Sequence, residues 1–431
     1  MADDAYDEFF AGADRRARER RARRVRRAGR ADPPDPGAEG ELRHLARSRG
    51  GRVLIGAVAG IALAVAVGLL ALWPYGFHPH GARGAVATVG AKIVRVVEEP
   101  CRTPTPQACR IATITVDGRR APLSLGPVAS APAVSVGQPI RVTRTPPLPA
   151  GAPAPPHAEP YSFADADRHG SLLWMGLLVA AAATLLLRRR GLLAVAGVGL
   201  SLAVVLLFLV PAILDGRPAL LVALVSALAV MFITLVLTNG IGAQTLAAAL
   251  GISATLLLTC GLAALGVHVA HLDGKSDEVT LALGAQSGRL SLQGVVLAGM
   301  LIGALGVLAD TAVTQASAVM ALRRANPALG ARRLYREAFV VGRDHLSATI
   351  HTLVLAYTGA ALPLLLVMRQ AQLPTADALN AQTIAEPIVA TVVGCAALIV
   401  AVPLTTALAA MLVARVPASA LPEGAGHGHA H

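Results

Sequence analysis

Asp310, Thr311, Thr314 and Gln315 crowd into about two helical turns of an otherwise apolar stretch, LADTAVTQASAVMALRR at 308–324. A carboxylate at the depth of lipid hydrocarbon costs roughly 2.5–3.5 kcal/mol on insertion scales, so such groups face a bundle interior or a water-filled cavity. At helical spacing Asp310, Thr314 and Ser317 share one face, and Thr311 and Gln315 form the adjacent stripe. A carboxylate beside hydroxyls and an amide can coordinate a cation, carry a proton or hold a small polar solute.

Two further stretches supply groups at the same level. In GRDHLSATIHTLVLAYTG, His345, Thr349 and Thr352 share a face, Asp344, Ser347 and His351 share its neighbour, and Arg343 precedes both. ITLVLTNG ends on Thr238 and Asn239. Together these predict a cytoplasm-facing polar cavity for an ion, a proton or a small polar solute. Imidazole titrates near physiological pH, so His345 and His351 are proton-relay candidates. A structural alternative stays open: Asp310 pairs with Arg343 or His345 to lock two helices, and serine and threonine bond their own helix backbone. Tyr357 reads as a packed aromatic. There is no HExxH, no GxGD-type aspartate pair and no nucleophilic Ser or Cys with an evident base, so the expectation is a non-enzyme without a cofactor.

The elements that must position these groups are membrane helices. The chain has 431 residues, 54% of them hydrophobic, and a soluble protein would carry roughly 25% charged residues where this one carries 15%. Apolar runs at 53–73 and at about 171–187, 191–214, 218–237, 244–270, 290–320, 346–368 and 387–412 each approach the ~20 residues that cross hydrocarbon. The fold class is therefore an all-α polytopic bundle of about eight transmembrane helices, with a small extracytoplasmic β-domain between the first and second. The bilayer is its first partner. Net charge is +12 and lysine occurs only at Lys92 and Lys275. Arginines cluster in the first fifty residues, at 188–190 and in the RRANPALGARRLYREAFVVGRD loop expected between the sixth and seventh spans. With the N-terminus inside, all of these fall on the cytoplasmic side, and both termini are cytoplasmic. Topology accounts for the charge, and the basic tail lacks the interleaved aromatics of a single-strand binder, so no nucleic acid is expected.

Five segments follow: a cytoplasmic arginine-rich disordered tail at 1–52, with helix over 14–30; a signal-anchor helix at 53–73; a polar excursion at 74–170; a seven-helix membrane domain at 171–412; and a cytoplasmic tail at 413–431. The tail fixes topology and can adhere to anionic headgroups. Within the excursion, AKIVRVVEE, CRIATITV and PIRVTR read as strands, and Asp117-Gly118 as a hairpin turn. This gives a β-domain over about 85–144, ahead of the proline-rich linker PPLPAGAPAPPHAEP. Placed outside, Cys101 and Cys109 can form a disulfide; the alternative is two free thiols. Cys260 and Cys395 read as packing residues. The terminal GHGHAH offers at most weak metal binding, and no further metal ligand set is evident. Gly299 and Gly303 at GxxxG spacing predict close helix packing. Pro211, Pro363 and Pro403 predict kinks, with a bend at Pro363.

The stretches LADTAVTQASAVMAL, GRDHLSATIHTLVLAYTGAALPLLL and FITLVLTNGIGAQTLAAALG, with YSFADADRHGSLLWMGLL before them, resemble the YibE/F-like membrane proteins of bacteria over roughly 160–412. The resemblance implies a multi-pass protein of the bacterial plasma membrane with a permease-type region, but no substrate. The arginine-rich, lysine-poor composition resembles that of a high-GC actinobacterium. Asp310, Thr311, Thr314, Gln315, Gly342, Arg343, Asp344 and Tyr357 stand at the family's characteristic polar positions. Two functions are open: a permease whose Asp310 binds a proton or cation, or an envelope accessory protein acting through its external β-domain. A homo-oligomer or an envelope partner fits either.

Overall fold

The computed structural model describes residues 46–47, 49–76, 88–101, 107–145, 160–275 and 290–415. The tail helix at 14–30, the proline-rich linker and GHGHAH lie outside them. The chain divides into two compact units, one of 1–77 with 196–431 and the other of 78–195.

The smaller unit carries five strands: β1 (Thr88–Pro100), β2 (Ala108–Val116), β3 (Arg119–Pro127), β4 (Pro139–Arg144) and β5 (Tyr161–Ala166). All neighbours are antiparallel, in the order β3-β2-β1-β4-β5. The edge strands β3 and β5 also approach each other, so the sheet curls into a half-barrel. Its core follows from the period-2 alternation of β-branched and leucine side chains. Ile93, Ala112, Ile114, Leu123, Ile140 and Val142 are almost wholly buried. The β2–β3 turn has positive φ at both Asp117 and Gly118, 50° and 79°, the signature of the tight hairpin that Asp-Gly favours. Cys101 and Cys109 are disulfide-bonded, where β1 ends and β2 begins. The fifth strand lies beyond the region read as β-domain from the sequence. Tyr161 and Phe163 pack against the core from it.

Among the described residues eight helices are long and apolar enough to cross a membrane: α1 (Arg49–Ala71), α2 (His169–Leu187), α3 (Arg189–Leu214), α4 (Ala219–Asn239), α5 (Ala243–Val269), α6 (Leu292–Ala325), α7 (Ala331–Gln370) and α9 (Gln382–Val413), with a short α8 (Thr375–Asn380) before the last. Each coincides with a predicted run. α3 contains a π-helical turn at Val205–Leu209 immediately before Pro211. Proline lacks a donor and its ring crowds the carbonyl four residues back, and a wider turn relieves both. α7 continues through Pro363, and α9 through Pro387 and Pro403.

In the larger unit α5, α6 and α9 pack together, α4 flanks α5 and α6, and α7 lies along α6 and α9. The interior of α5 is built from small residues, with Ala247, Ala248, Ala249 and Gly251 all buried. Lipid tails are as apolar as leucine, so helices in a bilayer associate by close packing, and small side chains permit it. α1 joins this unit by seating Gly68 against Val225 of α4.

The arginine-rich stretch between the sixth and seventh spans is mostly helical, which corrects the expected long loop. Only 326–330 separates α6 from α7, and Arg332, Arg333, Arg336 and Arg343 all sit on α7. α7 has 40 residues and is about 60 Å long, twice the hydrocarbon thickness. Charge density read as loop because single-sequence reading links charge to connections, yet arginine is a strong helix former.

Candidate functional site

The polar residues of α6 split between two faces. Adjacent residues on a helix point about 100° apart, and Asp310 and Thr311 meet different surroundings. Thr311 and Gln315 are wholly buried. The Asp310 side chain is 73% exposed.

The buried face meets α9, α5 and α7. Thr406 on α9 donates its hydroxyl to Gln315 Oε1 at 3.0 Å and lies 2.6 Å from the Val402 carbonyl. On α7, Gly342 sits against the Gln315 amide. A Cβ at position 342 would lie 2.5 Å from Oε1, so any larger residue there must displace the buried Gln315 amide or α7 itself. The neighbouring Thr405 hydroxyl presses against Gly251 of α5. One turn along the same helix interface, Gln244 of α5 donates to Ser317 Oγ of α6 at 2.6 Å.

Seven buried side-chain atoms in these helices have no hydrogen-bond partner among the described residues: Arg323 Nε and Arg324 Nε at the end of α6, His345 Nε2 on α7, and the neutral groups Ser253 Oγ, Thr311 Oγ1, Gln315 Nε2 and Thr405 Oγ1. Other buried hydroxyls behave differently. Ser226, Thr255 and Thr259 each donate to the carbonyl four residues back in their own helix. An unsatisfied buried polar group costs about 1–3 kcal/mol. The four neutral groups lie on three packed helices, Ser253 on α5, Thr311 and Gln315 on α6 and Thr405 on α9. Together they offer one amide N–H donor and three hydroxyls, which donate or accept, and no formal charge.

The charged groups occupy the outer side of α6 and α7. His345 Nε2 lies 4.0 Å from Asp310 Oδ2, linking the two helices as one of the sequence alternatives holds. Arg343, Asp344 and His351 are exposed and do not converge on the buried set. Asn239 is exposed at the end of α4, where its amide donates to Thr238 Oγ1 at 2.8 Å. Thr314 is half-buried. The groups expected in one cavity of three spans thus fall into two sets, a neutral buried layer and the Asp310–His345 pair. Of the GxxxG pair, a Cβ added at Gly299 would meet nothing, whereas one at Gly303 would lie 2.9 Å from the Tyr357 hydroxyl of α7. No cluster of three His, Cys, Asp or Glu side chains suited to a metal occurs among the described residues.

Sequence reasoning missed Ser253, Thr405 and Thr406. The signal was available in VPLTTALAA, where two hydroxyls interrupt an apolar run at the depth that made Asp310 conspicuous.

Comparison with known proteins yields one result. No curated protein and no solved structure matches the chain. Residues 175–415, more than half of the chain and all of the helices that form the buried polar layer, match the YibE/F-like protein family. The chain is a member of the YibE/F-like family, with the apolar helices of a multi-pass membrane protein.

Proposed function

We propose that this protein is a permease of the bacterial plasma membrane, passing a small polar solute or ion through the bundle of α5, α6, α7 and α9. The observation that carries this reading is the set of unpartnered buried groups, Ser253, Thr311, Gln315 and Thr405, within the packed bundle. A purely structural interior would satisfy or replace them, because unpaired polar groups are costly away from water. Both termini and the arginine-rich helix ends lie in the cytoplasm and the half-barrel lies outside, in accord with the positive-inside rule. Asp310 and His345, on the outer side of α6 and α7, bear a gating or proton-coupling role rather than direct contact with the solute.

An accessory role through the half-barrel is the second reading. It rests on that domain having its own apolar core and disulfide.

Flux of ions, protons and small polar solutes into proteoliposomes separates the two. Wild-type flux that is lost in Gln315→Leu, with the variant still folded by thermal melting, is the expected result. Flux lost in Asp310→Asn but kept in Gln315→Leu moves the site to the outer pair. Absence of wild-type flux for every solute tested overturns the permease reading.

A further inference from the structure

The cytoplasmic end of α6 and the first turns of α7 enclose an open cavity of about 930 Å³, away from the buried polar layer. Two helical stripes of α7 line it. Arg332, Arg336 and Val340 follow one another at intervals of four, as do Arg333, Glu337 and Val341, and Leu322 of α6 closes the other wall. Both stripes change from charged to apolar in the same direction along the helix.

That direction can be placed against the bilayer. Gly342 opposes Gln315, and His345 opposes Asp310, so α6 and α7 run antiparallel in a known register. Continuing the register brings Leu322 level with the first turns of α7. Arg323 and Arg324, where the apolar run of α6 ends, mark the membrane–water boundary. The guanidiniums of the cavity therefore stand at headgroup level, and Val340 and Val341 lie deeper. Both valines are more than half exposed, at 53% and 51%.

The charges are available. Arg332 and Arg336 make no hydrogen bond or ion pair among the described residues, whereas Arg333 and Glu337 face each other at 3.4 Å. Three guanidiniums against one carboxylate leave the cavity cationic. Arginine presents a planar fork of donors that matches phosphate oxygens.

We propose that this cavity is a binding site for one anionic phospholipid, its phosphate held by Arg332 and Arg336 and its acyl chain laid along Val340, Val341 and Leu322. A free phosphate would use the arginines and leave the valines bare. A lipid uses both, and it arrives from the side on which the valines lie.

The test titrates the full chain in neutral detergent with phosphatidylglycerol or phosphatidylcholine and counts retained lipid by native mass spectrometry. Phosphatidylglycerol is expected to be retained over phosphatidylcholine, and the preference to fall about tenfold or more in R332Q/R336Q. R332K/R336K, which keeps the charge without the fork, is expected to lie between. The arginine-rich N-terminus is common to all forms, so its contribution cancels in the comparison. An unchanged preference in R332Q/R336Q overturns the proposal. Displacement of the lipid by inorganic phosphate at equal concentration also overturns it, in favour of a free-anion site.

Discussion

The half-barrel and the helical bundle solve the burial problem in opposite ways. The half-barrel core is built from Ile93, Ile114, Leu123, Ile140 and Val142, and among its described residues no polar side chain is buried. The bundle buries Ser226, Thr245, Ser253, Thr255, Thr259, Thr311, Gln315, Thr405 and Thr406 among alanines. Water drives the first, because burying apolar surface there gains free energy roughly in proportion to area. It does not drive the second, whose outer surface meets lipid. Helices there gain from close approach and from hydrogen bonds, and polar interior groups are tolerated where function needs them. Core composition thus reports the solvent outside, and the unpaired groups inside the bundle stand out for that reason.

The largest effect should come from the water-driven core. Ile114→Ala removes a fully buried side chain and should cost roughly 2–5 kcal/mol. Hydrogen exchange on the full chain should show protection lost across β1–β3 and kept in α5, α6 and α9. Loss in both would mean the two cores are not independent. A smaller effect is expected in the bundle. Gly342→Ala must displace the buried Gln315 amide or α7 and should cost roughly 1–3 kcal/mol in thermal unfolding. Gly359→Ala, on the same helix with open space around it, should instead be neutral or stabilising by up to about 1 kcal/mol. Equal behaviour of the two variants would remove the close approach from the account.

The smallest effect concerns acid. Arg168 and the Ala166 N–H bond Asp165, and His169 bonds Asp167, and both carboxyls are held below the ordinary 3.8. Carboxyls depressed in the folded state stabilise it above that ordinary value. The gain is lost as pH falls from about 3.8 through the lowered folded values. Exchange at β5 should quicken over that range before exchange at β2 does. Simultaneous loss would assign acid sensitivity to the whole domain.

Legibility in the sequence differed between the regions for related reasons. Strand alternation, the Asp117-Gly118 turn and the cysteine pair gave three strands, the hairpin that leads into β3, and the disulfide, because a half-buried sheet writes its two faces in alternate residues. β5 escaped because it is short and set between a proline-rich stretch and a helix. The eight spans were legible from length alone. Which face of α6 turns inward was not, since a bilayer helix is apolar all round and carries no stripe. The partnership of Gln315 with Thr406, far apart in sequence, follows from tertiary packing that periodicity does not encode. Asp310 drew attention by its charge, but cost at depth does not tell which way a side chain points.

The bond between Cys101 and Cys109 spans the segment RTPTPQA. A trypsin nick after Arg102 would sever the backbone without separating the pieces. On an unreduced gel the cut protein would migrate as a single band of full mass, and thiol treatment would split it in two. Cleavage between β1 and β2 is therefore invisible unless the sample is reduced.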